Sequence, residues 1–279
     1  MLQFEKLQGT GNDFIIFNGI ENKLPNHNEL AKKVCSRNFG IGADGMMVVE
    51  KSKIADIKML FYNADGTQAP MCGNGIRCFS KYIYENELVK VESFTVETLG
   101  GIMKPQVIIE DNKIKSVKVN LGNPVFSSKD IPIDTDDENF IDKKLKVEEK
   151  NLNISGLVIG TIHTVIFVDD FNELNIEQLG RAVENHKVFP LKTNVNFVKI
   201  IDKKNIEVTT WERGVGITLA CGTGAAASAV VSSMLYDTEE TLNVHVKGGK
   251  LIIEQIDGFV YMTGPAEKIC EGAYYNEKS

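Results

Sequence analysis

Two similar cysteine-glycine turns occur in this 279-residue chain, one in each half. The stretch MCGNGIRCFS, which begins at Met71, places a cysteine directly before Gly-Asn-Gly and a segment of helical character. The stretch ACGTGAAAS, which begins at Ala220, repeats this arrangement, and the two cysteines, Cys72 and Cys221, are 149 residues apart. A repeat at this spacing, in a chain longer than a usual single-core domain, predicts two duplicated lobes.

Two further features recur at nearly the same spacing. GTGNDFIIF, which starts at Gly9, resembles GTIHTVIFV, which starts at Gly160, at a spacing of 151 residues. Asn63 precedes the first cysteine by nine residues, as Glu212 precedes the second. One such match could arise by chance, but three in register indicate lobes related by a pseudo-twofold axis.

Most of the remaining sequence has the alternating pattern and the turn residues of short strands. KLIIEQIDGFVYMTG predicts a hairpin that turns at Asp257-Gly258, and FVKIIDKKNIEVTTW predicts another. The segment 127–151 is rich in Asp, Glu and Lys, so we expect a connection or a solvated edge there, near the lobe boundary. Four helices are expected, at 28–37, 73 to about 89, 176–185 and 222 to about 235.

The last of these helices, GTGAAASAVVSSML, has no charged face. A helix that is small or apolar all round is normally buried. A buried helix among antiparallel strands implies that the strands wrap around it.

The composition excludes several classes of function. The net charge of −7 argues against a nucleic-acid surface or a basic membrane-binding patch. No apolar run approaches the ~18 residues of a membrane span. The amino terminus lacks the features of a signal peptide, so we expect a cytoplasmic protein.

The cysteines and histidines do not predict a disulfide framework or a metal site. Five cysteines are an odd number in a long chain, so reduced thiols are expected. Cys72 and Cys78 are spaced unlike the ligands of a zinc knuckle, and the four histidines form no pair at helical spacing. A lone cysteine is more often a core hydrophobe than a catalyst, as we expect for Cys35, Cys78 and Cys270.

Cys72 and Cys221 differ from the other cysteines because both stand at the start of a glycine turn that leads into a predicted helix. The helix N-terminus stabilises a thiolate and lowers the pKa of a cysteine from about 8.5. The glycine that follows lets a ligand approach the backbone without a Cβ in the way. The first backbone N–H groups of both helices are expected to hold a carboxylate, and they belong to Gly73, Asn74, Gly222 and Thr223.

Two such thiols suit the inversion of a carbon that bears a hydrogen. One thiolate removes the α-proton from one face, and the opposing thiol delivers a proton to the other face. The α-carbon of an amino acid is a weak acid, so the carbanion must be stabilised by the helix ends in a site that excludes water. We therefore expect the two sulfurs to face each other across one cleft.

Other functions fit parts of these motifs. Gly222, Gly224 and Ala227 satisfy the pattern of a dinucleotide-binding turn, although hairpins rather than a βαβ unit follow it. A hydrolase with a nucleophilic cysteine would need a Cys–His pair, which His163 could complete, but the second cysteine would then have no role. Two lobes that close on an amino acid could also form a binding module without catalysis.

The motifs of this chain resemble, in order and over nearly its full length, those of the diaminopimelate epimerase family. The motifs that carry the resemblance are GTGNDF near the start, YNADG at 62–66, MCGNGIRCF, TNVNF at 193–197, WERGVGIT at 211–218, ACGTGAAAS and MTGPAE near the end. The resemblance implies an α/β (α+β) fold of two pseudo-symmetric lobes, each a mostly antiparallel strand barrel around a central helix, with the active site in the cleft between them. We expect an N-terminal lobe of residues 1–121, to which 267–279 return, and a C-terminal lobe of residues 122–266.

The resemblance also implies an isomerase that converts LL- to meso-diaminopimelate for lysine and cell-wall precursor synthesis. Such an enzyme uses no cofactor, neither pyridoxal phosphate nor a metal, and acts as a homodimer on a small amino-acid substrate. Cys72 and Cys221 would be its acid/base pair. The residues that would bind the substrate are Asn12, beside the reacting centre; Gly73-Asn74 and Gly222-Thr223, on its carboxylate; Asn63, Asn194 and Arg213, at the distal end; and Glu212, near the amine.

Simpler interpretations exist for some of these residues. Asn12 and Asn63 lie in Gly/Asp-rich turns, where asparagine often serves only the backbone. Glu212 and Arg213 could form a plain surface pair, although the position of Glu212 nine residues before the second cysteine favours a role in the site.

One departure from the family pattern concerns the substrate. The family usually has Gly-Asn-Pro-His where this chain has Gly160-Thr161-Ile162-His163, and in the family the Asn contacts the distal end of the substrate. Thr161 offers one short hydroxyl in place of an amide, and Ile162 removes the fixed φ of proline. Thr161 and His163 are expected to line the substrate pocket. The departure leaves a racemase of another amino acid, such as histidine, as the alternative substrate assignment.

Overall fold

The computed structural model describes residues 1–275 of the chain. These residues form two compact units. The first unit comprises Met1–Val119 together with the described residues from Gly264 onward, and the second comprises Asn120–Thr263. Residues 276–279, the end of the segment expected to return to the N-terminal lobe, lie outside the described residues.

Nineteen strands and four α-helices are formed within residues 1–275. The first nine strands are β1 (Leu2–Gly9), β2 (Asn12–Asn18), β3 (Gly45–Glu50), β4 (Ile57–Asn63), β5 (Gln68–Ala69), β6 (Val96–Thr98), β7 (Gly101–Met103), β8 (Gln106–Glu110) and β9 (Lys113–Asn120). The others are β10 (Phe140–Val147), β11 (Lys150–Ile159), β12 (Thr161–Phe167), β13 (Asn194–Asp202), β14 (Asn205–Glu212), β15 (Gly216–Ile217), β16 (Thr241–Val246), β17 (Gly249–Ile256), β18 (Phe259–Gly264) and β19 (Glu267–Tyr274). The helices are α1 (His27–Cys35), α2 (Gly73–Glu85), α3 (Ile176–Glu184) and α4 (Gly222–Leu235), and a 3-10 turn spans Phe171–Glu173.

The first unit contains a sheet in the order β19-β1-β2-β3-β4-β6-β7, with β5 paired to β4. Its pairs are antiparallel except β2–β3 and β4–β6, which are parallel. Helix α1 connects the first parallel pair and α2 lies between the strands of the second. Strands β8 and β9 form an antiparallel hairpin in which Val107 and Val117 face each other.

The second unit repeats this connectivity. Its strands follow the order β10-β11-β12-β13-β14-β16-β17-β18, with β15 paired to β14. Here β12–β13 and β14–β16 are the parallel pairs, and α3 and α4 lie between their strands in sequence. The duplication expected from the two cysteine turns is therefore present in the topology of the chain.

The strand registers also define which positions of the two units are equivalent. Phe14 lies opposite Gly45 in the first unit, as His163 lies opposite Asn194 in the second. His163 lies 149 residues after Phe14, and Asn194 lies 149 residues after Gly45, which is the spacing of the two cysteines. The spacing of 151 suggested by the GTGNDFIIF and GTIHTVIFV stretches is therefore wrong by two residues, and Asn12 is equivalent to Thr161.

Helix α4 forms the centre of the hydrophobic core of the second unit. Ala225, Ala226, Ala229 and Val230 are buried against the strands that surround the helix. Its small side chains let the strands approach closely, which confirms the prediction of a buried helix. Helices α1 and α3 instead have one buried face each, and Asn26 and Asn175 cap their N-termini.

The acidic segment 127–151 contains β10, the end strand of the sheet, so it forms a solvated edge, which is one of the two structures expected for it. The structure corrects two other details expected from sequence. Helix α2 ends at Glu85 because the chain turns through Asn86 and through Glu87, which has a φ of 55°. Cys270 is exposed on β19, whereas Cys35 and Cys78 are buried as expected.

None of the helices in the described part of the chain is long and apolar enough to cross a bilayer. Within residues 1–275, His, Cys, Asp and Glu side chains do not gather in a group of three that could hold a metal ion.

Candidate active site

Cys72 is the N-cap residue of α2. Its backbone is extended, with φ −134° and ψ 125°, and its sulfur accepts a hydrogen bond from the N–H of Gly75 at 3.4 Å. The Asn12 side-chain oxygen lies 3.7 Å from the same sulfur and can accept its S–H. The half-buried thiol therefore lies at a helix N-terminus, where the helix dipole favours a thiolate.

Asn12 is held in place by a group of charged side chains behind it. Its amide nitrogen donates to Asp44, so its carbonyl oxygen is the atom that faces Cys72. Arg37 bridges Asp13 and Asp44 at 2.9 and 2.8 Å, and Lys6 pairs with Asp13 at 2.9 Å. Burial alone would raise the pKa of Asp13, but the hydrogen bonds from Arg37 and Lys6 outweigh it and lower the pKa.

Arg77 lies fully buried one turn into α2. Its guanidinium donates to the Gly73 carbonyl oxygen at 3.2 Å, to Asn74 Oδ1 at 3.0 Å and to Thr10 Oγ1 at 3.0 Å. Its Nε donates to the Pro265 carbonyl oxygen at 3.1 Å. Burial lowers the pKa of Arg77, and electrostatic interactions with the nearby acidic groups Cys78 and Cys72 oppose that shift. A guanidinium remains charged in proteins, so Arg77 attracts the thiolate of Cys72.

Asn74 and Asn63 have different surroundings in the first unit. Asn74 is buried, and its side-chain oxygen accepts from Arg77, so the side chain fixes the start of α2. Asn63 is exposed at the end of β4, and its amide donates to Thr67 Oγ1 at 3.0 Å within the turn that follows. The contacts of Asn63 in the described structure are therefore those of a turn residue.

Cys221 is the N-cap residue of α4 and is also half-buried and extended, with φ −116° and ψ 112°. Thr223 Oγ1 lies 3.6 Å from the Cys221 sulfur. Nε2 of His163, on β12, lies 3.0 Å from the same threonine oxygen. Its second ring nitrogen, Nδ1, lies 3.2 Å from the amide nitrogen of Asn196. Thr223 therefore links His163 to the second thiol.

Burial lowers the pKa of His163 to about 3, and the nearby positive charge of Arg213 adds to the shift. Because the unfolded chain binds a proton on this histidine below pH 6.5 and the folded chain does not, the free energy of unfolding should fall as the pH drops from 6.5 towards 3. Between pH 7 and pH 5, we expect the wild-type protein to lose about 2 kcal/mol more than a His163→Gln variant. Denaturant unfolding at the two pH values measures this difference, and parallel losses in both proteins would contradict it.

Asn194 connects the strands that carry the other site residues of the second unit. Its amide nitrogen donates to the Ile162 carbonyl oxygen at 3.0 Å, and its oxygen accepts from the backbone N–H of Arg213 at 2.9 Å. The side chain of Arg213 is exposed and donates to the Leu191 carbonyl oxygen at 2.8 Å. Glu212 Oε1 accepts from Thr218 Oγ1 at 2.7 Å. The surface pair considered for Glu212 and Arg213 is therefore not what organises this turn.

Thr161 is the first residue of β12, as Asn12 is the first residue of β2. The residue before it, Gly160, has a φ of 69°, and a Cβ there would lie 3.2 Å from Thr223 Cγ2. The turn thus passes close to the start of α4, which puts Thr161 in the same part of the second unit as Cys221.

Several residues that shape the surroundings of the two cysteines were not predicted from the sequence. Arg77 could have been suspected, because it stands four residues after Gly73 and so belongs to the same helical face. Asn196 could have been suspected from TNVNF, because Asn194 and Asn196 alternate onto one face of a strand. Glu184, which accepts from the Trp211 indole at 2.7 Å and from the Gly214 N–H at 3.2 Å, had no signal in the sequence.

The site residues therefore assemble into one group in each unit. Cys72 has Asn12, Gly73 and Asn74 around it, and Cys221 has Gly222, Thr223 and His163. Each group offers a thiol that can take or give a proton and a helix N-terminus that can hold an anion.

Comparison with known proteins identifies close relatives of this chain. A family model described as diaminopimelate epimerase matches residues 4–127 and 157–269. A diaminopimelate epimerase of Caldanaerobacter subterraneus subsp. tengcongensis is 49% identical over 272 residues, which cover 97% of this chain and 98% of the relative. One of Alkaliphilus metalliredigens is 45% identical over 277 residues, covering 99% and 98% of the two chains.

Solved structures of more distant proteins have the same fold. A probable proline racemase from Agrobacterium radiobacter K84 has a TM-score of 0.73 at 13% identity, covering 99% of this chain and 94% of that protein. A PhzF-family phenazine biosynthesis protein from Bacillus anthracis has a TM-score of 0.67 at 17% identity, covering 97% and 98%. These likenesses confirm the two-lobed α/β fold class.

Proposed function

The chain belongs to the diaminopimelate epimerase family, and on that premise we propose that it converts LL- to meso-diaminopimelate with Cys72 and Cys221 as the acid/base pair. The observation that carries the proposal is the thiol at a helix N-terminus in each of two duplicated units. A pair of equivalent thiols matches a reaction that must handle a proton on either face of one carbon.

The reaction divides into two proton transfers. One cysteine, as thiolate, accepts the α-proton, and the C–H electron pair remains on the α-carbon as a carbanion. The other cysteine, as thiol, donates its proton to the opposite face, which inverts the centre and leaves that cysteine as thiolate. The N–H groups at the starts of α2 and α4 bind the substrate carboxylate and stabilise the charge that the carbanion delocalises into it.

The proposal requires no cofactor, because the two thiols supply both the proton acceptor and the proton donor. The direct experiment is turnover of LL-diaminopimelate in D₂O by the purified protein, with no pyridoxal phosphate or metal added. We expect deuterium at the α-carbon of the meso product. Product without α-deuterium, or no turnover unless a cofactor is added, would contradict the mechanism.

Thr161 is proposed to contact the distal end of the substrate in place of the asparagine usual in the family. A Thr161→Val variant keeps the shape and removes the hydroxyl, so we expect its kcat/KM for diaminopimelate to fall about tenfold. A Thr161→Asn variant should keep at least the wild-type value. Steady-state kinetics of the three proteins measure this, and an unchanged value in Thr161→Val would exclude the contact.

The same departure is the reason to test other amino acids. A panel of diaminopimelate, lysine and histidine should show the highest kcat/KM for diaminopimelate, because Asn63, Asn194 and Arg213 match a substrate with a second carboxylate. Faster turnover of histidine would assign the chain to the alternative, a racemase of that amino acid.

The working form is proposed to be a cytoplasmic homodimer, as the resemblance to the family implies. Sedimentation at assay concentrations would give the mass of one chain if this proposal is wrong.

A further inference from the structure

A chain of buried polar side chains leads from the interior of the second unit to the sulfur of Cys221. Thr210 Oγ1 lies 2.9 Å from Asn196 Oδ1, and the Asn196 amide nitrogen lies 3.2 Å from His163 Nδ1. His163 Nε2 lies 3.0 Å from Thr223 Oγ1, which in turn lies 3.6 Å from the sulfur. Thr210, Asn196 and His163 are all buried. Burial of a polar group costs stability unless each donor and acceptor is satisfied.

The first unit has hydrocarbon at the positions equivalent to the three inner members of this chain, His163, Asn196 and Thr210. The strand registers pair Met47 with Phe61 as they pair Asn196 with Thr210. The ring of Phe14 packs against Phe61 with centroids 5.9 Å apart. The residues separated by 149 positions are Phe14 and His163, Met47 and Asn196, and Phe61 and Thr210. The fold is therefore compatible with an apolar core at this place, and the buried polar residues His163, Asn196 and Thr210 are a feature of the second unit.

The hydrogen bonds of Asn196, at the buried end of this chain, determine which atom is the donor in each of the other hydrogen bonds. The Asn196 amide nitrogen also donates to the Thr164 carbonyl oxygen at 3.0 Å, and a carbonyl can only accept. The Asn196 oxygen accepts from the Thr210 hydroxyl. The amide therefore presents an N–H to Nδ1 of His163, so Nδ1 must be the unprotonated nitrogen.

This tautomer of His163 determines the hydrogen bonds at the Cys221 end of the chain. A neutral imidazole with a bare Nδ1 has its proton on Nε2, and Nε2–H donates to Thr223 Oγ1. The threonine hydroxyl then has its own hydrogen available, and the Cys221 sulfur lies within reach of it. A hydroxyl that donates to sulfur stabilises the thiolate over the thiol.

We propose that Asn196 is a positioning residue for catalysis, which fixes the Nε2–H tautomer of His163 and thereby makes the Thr223 hydroxyl a donor to the Cys221 thiolate. The inference rests on the proposed function in that it assigns Cys221 a working thiolate. It gives the hydroxyl of Thr223 a task separate from the backbone N–H of the same residue, which is proposed to hold the substrate carboxylate.

Packing against α4 holds the Asn196 amide in this orientation. A Cβ on Gly224 would lie 2.3 Å from Asn196 Oδ1 and 3.1 Å from Thr210 Oγ1. Glycine at this position thus lets the amide lie directly on the first turn of the helix. This gives the second glycine of the CGTG turn a role in the polar chain as well as in the turn.

The titratable and charged groups on the strands and turns near this chain in the second unit include His163, Arg213 and Glu212. His163 itself stays neutral, because burial lowers its pKa to about 3. Arg213 acts on the imidazole and opposes its protonation. The carboxylate of Glu212 accepts from Thr218. A change in Cys221 ionisation near neutral pH therefore does not arise from titration of His163.

A matched pair of variants at Thr223 tests the proposal. Thr223→Val keeps the backbone and the shape but removes the hydroxyl, and Thr223→Ser restores it. In a Cys72→Ala background, the pH dependence of Cys221 alkylation by iodoacetamide reports the fraction of thiolate. We expect the midpoint to rise by about one pH unit with valine and to stay at the parent value with serine. An unchanged midpoint with valine, or the same rise with serine, would overturn the proposal.

The reciprocal background provides the control. In Cys221→Ala protein, Thr223→Val should leave the alkylation midpoint of Cys72 unchanged, since the polar chain ends on the other sulfur. An equal shift at Cys72 would mean that the substitution perturbs both units, and the proposal would fail.

A spectroscopic measurement tests Asn196 separately. ¹⁵N NMR of histidine-labelled protein, with His163→Gln to assign the signal, should show His163 as the pure Nε2–H tautomer. The Asn196→Leu variant should gain the Nδ1–H tautomer and raise the Cys221 midpoint. Wild-type His163 as the Nδ1–H tautomer would refute the inference even if Asn196→Leu does not fold.

These measurements require no turnover, so they separate this inference from the proposed function. If Thr223→Val but not Thr223→Ser raises the alkylation midpoint of Cys221, and the protein does not epimerise diaminopimelate, the role of the polar chain is supported and the proposed function is rejected. If the protein epimerises diaminopimelate but the midpoint does not rise, the proposed function is supported and the role of the polar chain is rejected.

Discussion

Replacing either Cys72 or Cys221 by alanine is expected to lower the rate of epimerisation by ~10³-fold or more, since general acid–base groups contribute about 10² to 10⁴ each. In the proposed mechanism each thiol serves one face of the α-carbon. Loss of either one therefore blocks inversion in both directions, because the acid of the forward reaction is the base of the reverse reaction.

The two halves of the reaction can be measured separately in D₂O. Inversion is followed by the chirality of the product, and proton removal by deuterium in the recovered substrate. A variant with one remaining thiol should lose inversion but can still exchange the proton on the face that this thiol serves. The isomer that still exchanges therefore identifies the stereochemical face assigned to each cysteine.

A Cys270→Ala variant is the matched control, because Cys270 is exposed on β19 and has no proposed part in the reaction. It should retain the wild-type rate. An unaffected rate in Cys72→Ala or in Cys221→Ala would reject the two-base mechanism, whatever the control shows.

The repeat of the cysteine turns was sufficient to predict the duplicated topology. Helices α2 and α4 begin at the glycine after each cysteine, as expected, because an extended cysteine can cap a helix that glycine starts without steric hindrance. The absence of charge along GTGAAASAVVSSML was also informative, since only a buried helix tolerates that composition.

The differences between the halves could not be predicted in the same way. Sequence comparison of the halves looks for similarity, whereas Phe14 and His163 occupy equivalent positions and share no property of side-chain chemistry. The burial of Arg77 was also unexpected, because arginine is almost never fully buried without partners, and two of its partners, the Pro265 carbonyl oxygen and Thr10 Oγ1, are far away in sequence.

The two thiols are thus surrounded by different electrostatic environments on a common scaffold. Cys72 has a buried guanidinium on the same helix, whose charge attracts the thiolate. The equivalent position on α4 is Ala226, so that charge has no counterpart in the second unit. Cys221 instead has the neutral chain through His163. The two units share one topology, and substitutions inside the strands and helices place chemically different side chains around the two thiols.

Arg77→Met is therefore expected to affect both stability and catalysis. The substitution leaves the Gly73 and Pro265 carbonyl oxygens, Asn74 Oδ1 and Thr10 Oγ1 without the hydrogen bonds that they now accept. At a net loss of about 1 kcal/mol for each of these four hydrogen bonds, we expect the free energy of unfolding to fall by ~3–5 kcal/mol. Denaturant unfolding with an unchanged m value measures this loss.

The matched variant is Arg77→Lys, which keeps a positive charge but offers fewer donors in a different geometry. It should lose less stability than methionine, and its Cys72 should remain easier to ionise than that of Arg77→Met, because the ammonium still attracts the thiolate. Thr10 has a φ of 53° and lies two residues before Asn12, so the bond from Arg77 to Thr10 also holds the loop that faces Cys72. A methionine variant within 1 kcal/mol of the wild type would show that the guanidinium neither anchors this loop nor completes the start of α2.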